Sequence, residues 1–354
     1  MDDMVKVAAL AITAALCACV VKKQVRELGL ALALAAMMLS GCARNTAGDG
    51  VQTMADGSVA DRSGDISLGE ITLEDEMVAL AAGPGAIDPS LTTSAPGTLV
   101  KKNDKAVVDY SNTKDGYVMV QYTAKTDKRL KAQVKGPTTT YTYNLTAGSW
   151  ATFPLSDGNG RYQVTVYQNT EGSKYAAVVS AAFDAAMTDE FAPFTHPNQY
   201  VNYAKAPNTV AKAAELTKGV TDPLKKVELV YNYVVQNITY DKQLAASVKS
   251  GYLPVLDTVL SKKTGICFDY AALMTGMLRS QGVPCKLVVG YAGTAYHAWI
   301  SVWTKENGWV DGAIYFDGST WQRMDPTFAS SGKQSASIMA YIGDGSHYSA
   351  KYFY

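Results

Sequence analysis

Histidine and cysteine are scarce in this chain of 354 residues, with three of the former and five of the latter. Cys17, Cys19 and Cys42 lie at the N-terminus, so Cys267 and Cys285 are the only cysteines in the remainder. That excludes a disulfide framework, and without a C-x-x-C pair a structural zinc site built from Cys267, Cys285 and His297 is the weakest reading; neither metal nor cofactor is expected. An excess of either charge is also missing, since 32 Lys and Arg balance 32 Asp and Glu. Neutralising phosphates takes a basic excess or a dense basic stripe, so nucleic acid is not expected as a partner. Apolar residues, at 47%, are plentiful, and Tyr outnumbers Phe by 22 to 8. Such a chain can bury cores, and its length fits about two domains.

Residues 22–42 join a basic head, Lys22-Lys23-Gln24-Val25-Arg26, to an apolar core of about a dozen residues and a small-residue ending, the pattern of a secretory signal. The ending Leu39-Ser40-Gly41-Cys42 resembles a bacterial lipobox, which implies cleavage before Cys42 and diacylglycerol on its sulfur. The apolar core is shorter than the roughly 17 to 25 residues of a membrane-spanning helix, so the lipid is expected to hold the protein to the membrane. A second apolar run, Val7 to Val21, precedes the basic head. It is either untranslated, with synthesis starting at Val21 from a non-ATG codon, or a first membrane span. Residues 1–42 are thus read as a hydrophobic N-terminus and lipoprotein signal.

Residues 43–100, rich in Ala, Gly, Asp, Ser and Thr, cannot offset their ordering entropy by burial and are read as a flexible tether. Residues 101–185 alternate apolar and polar in short runs: 106–110, 116–123, 130–135, 139–145, 151–155, 162–168 and 176–183. Turn residues such as Lys135-Gly136-Pro137 and Asp157-Gly158-Asn159-Gly160 separate them. Seven short strands at this spacing suggest an immunoglobulin-like β-sandwich, serving as a spacer or presenting substrate. Residues 186–208 form a connector bearing Pro193, Pro197 and Pro207, and a second domain occupies 209–354.

In that domain, Asp222-Pro223 reads as a cap and first helical residue. Leu224, Val227, Tyr231, Val234 and Ile238 then recur at helical spacing. A further helix is expected between Gly265 and Gly282, with Cys267 at its N-terminus, where unpaired amides and the helix dipole favour a thiolate. Position alone leaves a buried structural cysteine equally open. Cys285 to Val289 reads as a short strand and Gly290 to Thr294 as the loop after it; His297 opens the strand Tyr296 to Trp303, with Trp299 and Trp303 on its own face as candidate cleft walls or ordinary core residues. Asp317-Gly318 predicts a hairpin into a strand ending at Asp325-Pro326, and an antiparallel neighbour of the histidine strand would bring Asp325 to the imidazole.

Taken in order, Gly265-Ile266-Cys267-Phe268-Asp269-Tyr270-Ala271, Arg279-Ser280-Gln281-Gly282-Val283-Pro284, His297-Ala298-Trp299 and Asp325-Pro326-Thr327 resemble the transglutaminase-like core of the papain-like thiol-enzyme superfamily. The resemblance spans roughly 209–327, and Tyr240-Asp241 falls where bacterial members often carry a Tyr-Asp pair. It implies an α+β fold with the nucleophile helix packed on an antiparallel sheet, and a catalytic triad of Cys267, His297 and Asp325. The signal and sandwich are similar to those of transglutaminase-like surface proteins of Gram-positive gut bacteria. Tyr240 is the candidate second oxyanion donor beside the Cys267 N–H, with an ordinary core tyrosine as the alternative.

The expected activity is that of a membrane-anchored thiol enzyme at the cell surface, acylated by a peptide or protein substrate and then hydrolysed, as in a cysteine peptidase or amidase. Acyl transfer to lysine, as in a protein-crosslinking transglutaminase, and a non-catalytic surface-binding module are the alternatives. For the N-terminus, mass spectrometry of the membrane-bound protein is expected to find Cys42 first and lipidated; any peptide from residues 1–20 would overturn the Val21 start.

Overall fold

The computed structural model describes residues 91–305, 308–310, 314–316, 321–323, 327 and 346–354, with backbone alone for 314–316 and 321–323. The expected signal, Cys42, residues 43–90 and Asp325 lie outside the described residues.

Two antiparallel four-stranded sheets make up the first half. Its strands are β1 (Val100–Lys102), β2 (Ala106–Asp109), β3 (Tyr117–Tyr122), β4 (Leu130–Lys135), β5 (Thr140–Leu145), β6 (Trp150–Pro154), β7 (Gly160–Glu171) and β8 (Lys174–Ala185). The sheet orders are β1-β2-β3-β6 and β5-β4-β7-β8. Strand alternation turns Leu130, Ala132 and Val134 of β4, and Tyr162, Val164 and Val166 of β7, into the core. Between the sheets, Tyr143 of β5 stacks on Phe153 of β6 with ring centroids 4.2 Å apart. Seven of these strands follow the turn spacing of the sequence. The eighth, β1, straddles the expected boundary between tether and β region, and the described segment before it, expected as tether, is held by polar contacts. The Gly97 amide donates to Asp109 Oδ2 at 2.7 Å, and the Asn112 side-chain amide to the Ser94 carbonyl at 2.7 Å. Such bonds leave no apolar period in the sequence.

The second half carries five helices among the described residues: α1 (Pro207–Leu216), α2 (Pro223–Asn237), α3 (Lys242–Ser247), α4 (Leu256–Lys262) and α5 (Cys267–Ser280). Two short parallel strands, β9 (Thr239–Tyr240) and β10 (Thr264–Gly265), tie the end of α2 to the approach to α5. The main sheet has the order β13-β12-β11-β16, from β11 (Cys285–Ala292), β12 (Ala295–Thr304), β13 (Gly308–Val310) and β16 (Tyr348–Phe353). A separate hairpin pairs β14 (Ile314–Phe316) with β15 (Trp321–Arg323). Asp222 caps α2 by accepting the Leu224 amide at 3.0 Å. Every residue of α5 except Phe268 is buried, which makes it the central helix. β11 runs on through Gly290, read from sequence as loop, because the place needs a residue without a side chain. A Cβ there would lie 2.1 Å from the Ser349 carbonyl oxygen and 2.9 Å from the Trp299 ring.

The two halves share one contiguous apolar core. Strands β5 and β6 are sheet edges, and an open edge ordinarily invites pairing with another chain. Here Tyr354 packs edge-on against Tyr141, Tyr143 and Tyr200, with centroids 5.7, 5.9 and 4.7 Å away, and Gln199 donates to the Asn144 carbonyl at 2.6 Å. Arg279, with 0% exposure at the far end of α5, binds three main-chain oxygens from three segments. Its guanidinium donates to Cys285 at 2.8 Å, to His196 in the connector at 2.8 Å and to Tyr354 at 2.6 Å. Burial lowers its pKa to about 10, so it stays cationic at neutral pH. Replacement by Met removes those donors at once, so Arg279→Met is expected to lose on the order of 3 kcal/mol of stability, read from the urea midpoint, with Arg279→Lys recovering only part.

Candidate active site

Cys267 is the first residue of α5 and is 7% exposed. Its position is set by Asp269, two residues further on and fully buried. One carboxylate oxygen of Asp269 accepts the Ile266 amide at 2.9 Å, and the other accepts the Tyr252 hydroxyl at 2.7 Å. The first bond caps α5 and fixes the chain entering Cys267. The second anchors the loop 248–253. Burial raises the Asp269 pKa, against the lowering effect of those two bonds, and Asp241 raises it further. Gly265 leaves room for this arrangement, since a Cβ there would lie 2.6 Å from that of Asp269.

His297, 4% exposed, is the third residue of β12 and pairs with Gly290 of β11. Cys267 and His297 line one cleft of about 310 Å³. The cleft lies between the two halves of the molecule: Lys131, Thr142 and Asn144 from β4 and β5 form one side, and the loop 248–253 and Tyr296 flank the other. The Tyr296 hydroxyl sits within electrostatic reach of Cys267, and burial, with smaller contributions from Tyr352, Tyr200, Tyr291 and Cys267, raises it above the usual phenol range.

The remaining residues singled out from sequence fall elsewhere. Tyr240 pairs with Gly265, close in sequence to Cys267, but its half-buried side chain packs on the core and is not among those lining the cleft. Trp299 is buried behind His297, with ring centroids 6.2 Å apart. Trp303 packs on Phe191 with centroids 4.4 Å apart and donates its indole N–H to Glu190 at 3.3 Å, so it joins the connector to the sheet. Neither tryptophan lines the cleft. The strand leading toward Asp325 corrects the sequence reading. β15 pairs with β14, whereas the neighbours of the histidine strand are β11 and β13. The Asp-Gly hairpin was legible from local turn chemistry, but the place of that hairpin is a long-range choice.

Cys285 is fully buried, with Sγ 3.6 Å from Thr275 Oγ1, and burial pushes its thiol up to about 12. No group of His, Cys, Asp and Glu able to hold a metal occurs among the described residues. Asp269, Tyr252, Tyr296 and Lys131 were not anticipated. Asp269 alone left a local signal, as an acidic residue at the third position of a helix.

Residues 210–326 match the transglutaminase-like superfamily, so this part of the chain is a transglutaminase-like domain. It is 27% identical over 117 residues to YebA, an uncharacterised protein of Bacillus subtilis, and 28% identical over 119 residues to a protein-glutamine gamma-glutamyltransferase of Pseudomonas aeruginosa. These matches cover 28% and 29% of this chain but only 16% and 17% of the relatives. Among solved structures, a candidate cysteine protease from Cytophaga hutchinsonii aligns over 60% of this chain and 71% of that one, at 15% identity and a TM-score of 0.31. Red sea bream transglutaminase aligns over 64% and 53%, at 12% identity and a TM-score of 0.27.

A methyl group at residue 265 would push Asp269 off the Ile266 amide. Gly265→Ala is therefore expected to cost about 1 to 3 kcal/mol in thermal or urea unfolding and to shift the Cys267 alkylation rate, whereas Gly282→Ala, strained by its φ of +75° but at the far end of α5, is expected to lose stability and leave that rate unchanged.

Proposed function

We propose that the protein is a thiol acyl-transfer enzyme that hydrolyses peptide or amide bonds, with Cys267 as nucleophile, His297 as general base and then acid, and Asp325 orienting the imidazole. The observation that carries the reading is the single cleft lined by both Cys267, at the start of a buried helix, and His297. The thiolate adds to the amide carbonyl, and the oxyanion is held by the Cys267 N–H and a second donor, a role for which Tyr240, packed on the core outside the cleft, is not placed. The C–N bond then breaks, the amine leaves with a proton from His297, and a thioester remains on Cys267. Water deprotonated by His297 attacks the thioester, releasing the carboxylic acid and restoring the thiol. The same reading makes the protein exported and lipid-anchored through Cys42, acting on peptide or protein at the cell surface.

A second reading, transfer of the acyl group to a lysine amine, is supported by the name of the Pseudomonas relative, a protein-glutamine gamma-glutamyltransferase. Incubation with a glutamine-donor peptide and a labelled amine separates the two: cleavage without label marks the hydrolase and covalent label the transferase. Cys267→Ala and His297→Ala are expected to abolish turnover. Tyr240→Phe, with its side chain outside the cleft, is expected to keep the full rate, and a loss of about 10²- to 10³-fold would instead mark it as an oxyanion donor. Iodoacetamide at neutral pH is expected to alkylate Cys267 well before Cys285, whose thiol ionises only near pH 12. Equal slow labelling of both would instead favour a non-catalytic binding module.

A further inference from the structure

We infer that the cleft selects a substrate with a large apolar side chain close to the amide that Cys267 attacks, an inference that rests on the thiol-enzyme reading above. Apolar side chains scattered singly over a surface carry no message, whereas several gathered at one place do. Among the described residues the exposed large apolar side chains are Leu99, Trp150, Leu253, Val255, Tyr291 and Tyr296. Leu253, 38% exposed, and Tyr296, 43% exposed, line the cleft itself, one from the loop 248–253 and the other from β12. Val255 follows two residues after Leu253, and Tyr291 pairs with Tyr296 across β11 and β12, their rings 5.6 Å apart. Exposed apolar surface is thus concentrated in the two segments that bring Leu253 and Tyr296 to the cleft.

The wall beside the thiol continues the same chemistry. Phe268, next to Cys267, is the one residue of α5 that is not buried, and it lines the cleft with Tyr200, whose ring it meets edge-on at 5.3 Å. A helix otherwise buried therefore leaves one ring partly uncovered beside its first residue. Charge does not compete for these walls. The Lys131 ammonium lies 5.7 Å over the ring of Tyr175, which is not among the lining residues, and no acidic side chain lines the cleft among the described residues. Lys249 is exposed on its loop, where its ammonium keeps its water. A substrate side chain laid over Leu253, Tyr296, Phe268 and Tyr200 displaces water from apolar surface, so affinity grows with the apolar area it brings. Leucine or phenylalanine suits this setting, alanine covers too little, and glutamate or lysine would lose hydration against the same walls.

NMR titration of Cys267→Ala, in the full chain, with unlabelled acetyl-Ala-X-Ala amides tests the selection without chemistry, X being Phe, Leu, Ala, Glu or Lys. The Phe and Leu peptides are expected to bind about ten- to hundredfold more tightly than the Ala peptide. Leu253→Ser and Tyr296→Thr, each added to Cys267→Ala, are expected to reduce that advantage about three- to tenfold. Leu99→Ser, on exposed surface outside the cleft, is expected to leave it unchanged. Equal binding of all five peptides, no binding of the Phe and Leu peptides, tighter binding of Glu or Lys, or an advantage undiminished in Leu253→Ser overturns the inference. So does self-association that is lost in Leu253→Ser and excludes peptide, which would give the patch to a second copy of the chain.

Hydrolysis of the same peptides by the wild-type chain separates the two readings. Preference in binding with no turnover removes the thiol-enzyme assignment and keeps the apolar selection. Turnover with kcat/KM independent of X keeps the enzyme and overturns the selection.

Discussion

Helix α5 is held at both ends by a charged group that has almost no water around it, and the candidate site depends on that fixing. At the N-terminal end the Asp269 carboxylate ties the Ile266 amide to the Tyr252 hydroxyl. At the C-terminal end the Arg279 guanidinium joins β11, the connector and the segment after β16. Both are held by hydrogen bonds of fixed direction, which makes them sensitive to small displacements of the backbone. The helix cannot slide along its axis without breaking one set or the other. The Cys267 thiol on its first residue is thereby positioned from both ends of the helix.

The same logic extends to the seam between the halves. The open edge of β5 would be exposed to pairing with other chains, and here aromatic rings and the Gln199 amide occupy it. Much of the abundance of tyrosine finds its use there. Tyr141, Tyr143, Tyr200, Tyr352 and Tyr354 form one cluster, and burial raises the pKa of Tyr143 and Tyr354, so that they stay neutral. The cleft is a by-product of this seam. One wall belongs to a sheet whose own strands are complete without the second half.

What could be read from sequence was what is locally encoded. Helical recurrence from Leu224 to Ile238 and the turns between the β runs placed α2 and seven of the eight strands to within a few residues. Cys267 at a helix start followed from Gly265 before it and the apolar period after it. Short elements such as α3 and α4 have too few turns to show a period, and Gly290 looked like a breaker because its reason is the approach of Ser349 from β16. Partnerships distant in the chain were not legible. The hairpin toward Asp325 was foreseen as a hairpin and attached to the wrong strand, and nothing near Lys131 in the sequence indicates that it lines the same cleft as Cys267.

Tyr354 lines the cleft beside Cys267, and β16 pairs along β11 at residues 348–353. Synthesis proceeds from the N-terminus, so the central helix and the histidine strand emerge well before the strand that completes their sheet. Until residue 354 is available, the Arg279 guanidinium lacks one of its three acceptors and the β5 edge lacks its tyrosine cover. The cleft therefore has no finished form on a nascent chain. Completion of the cleft and covering of the β5 edge are one event, made by the same docked segment.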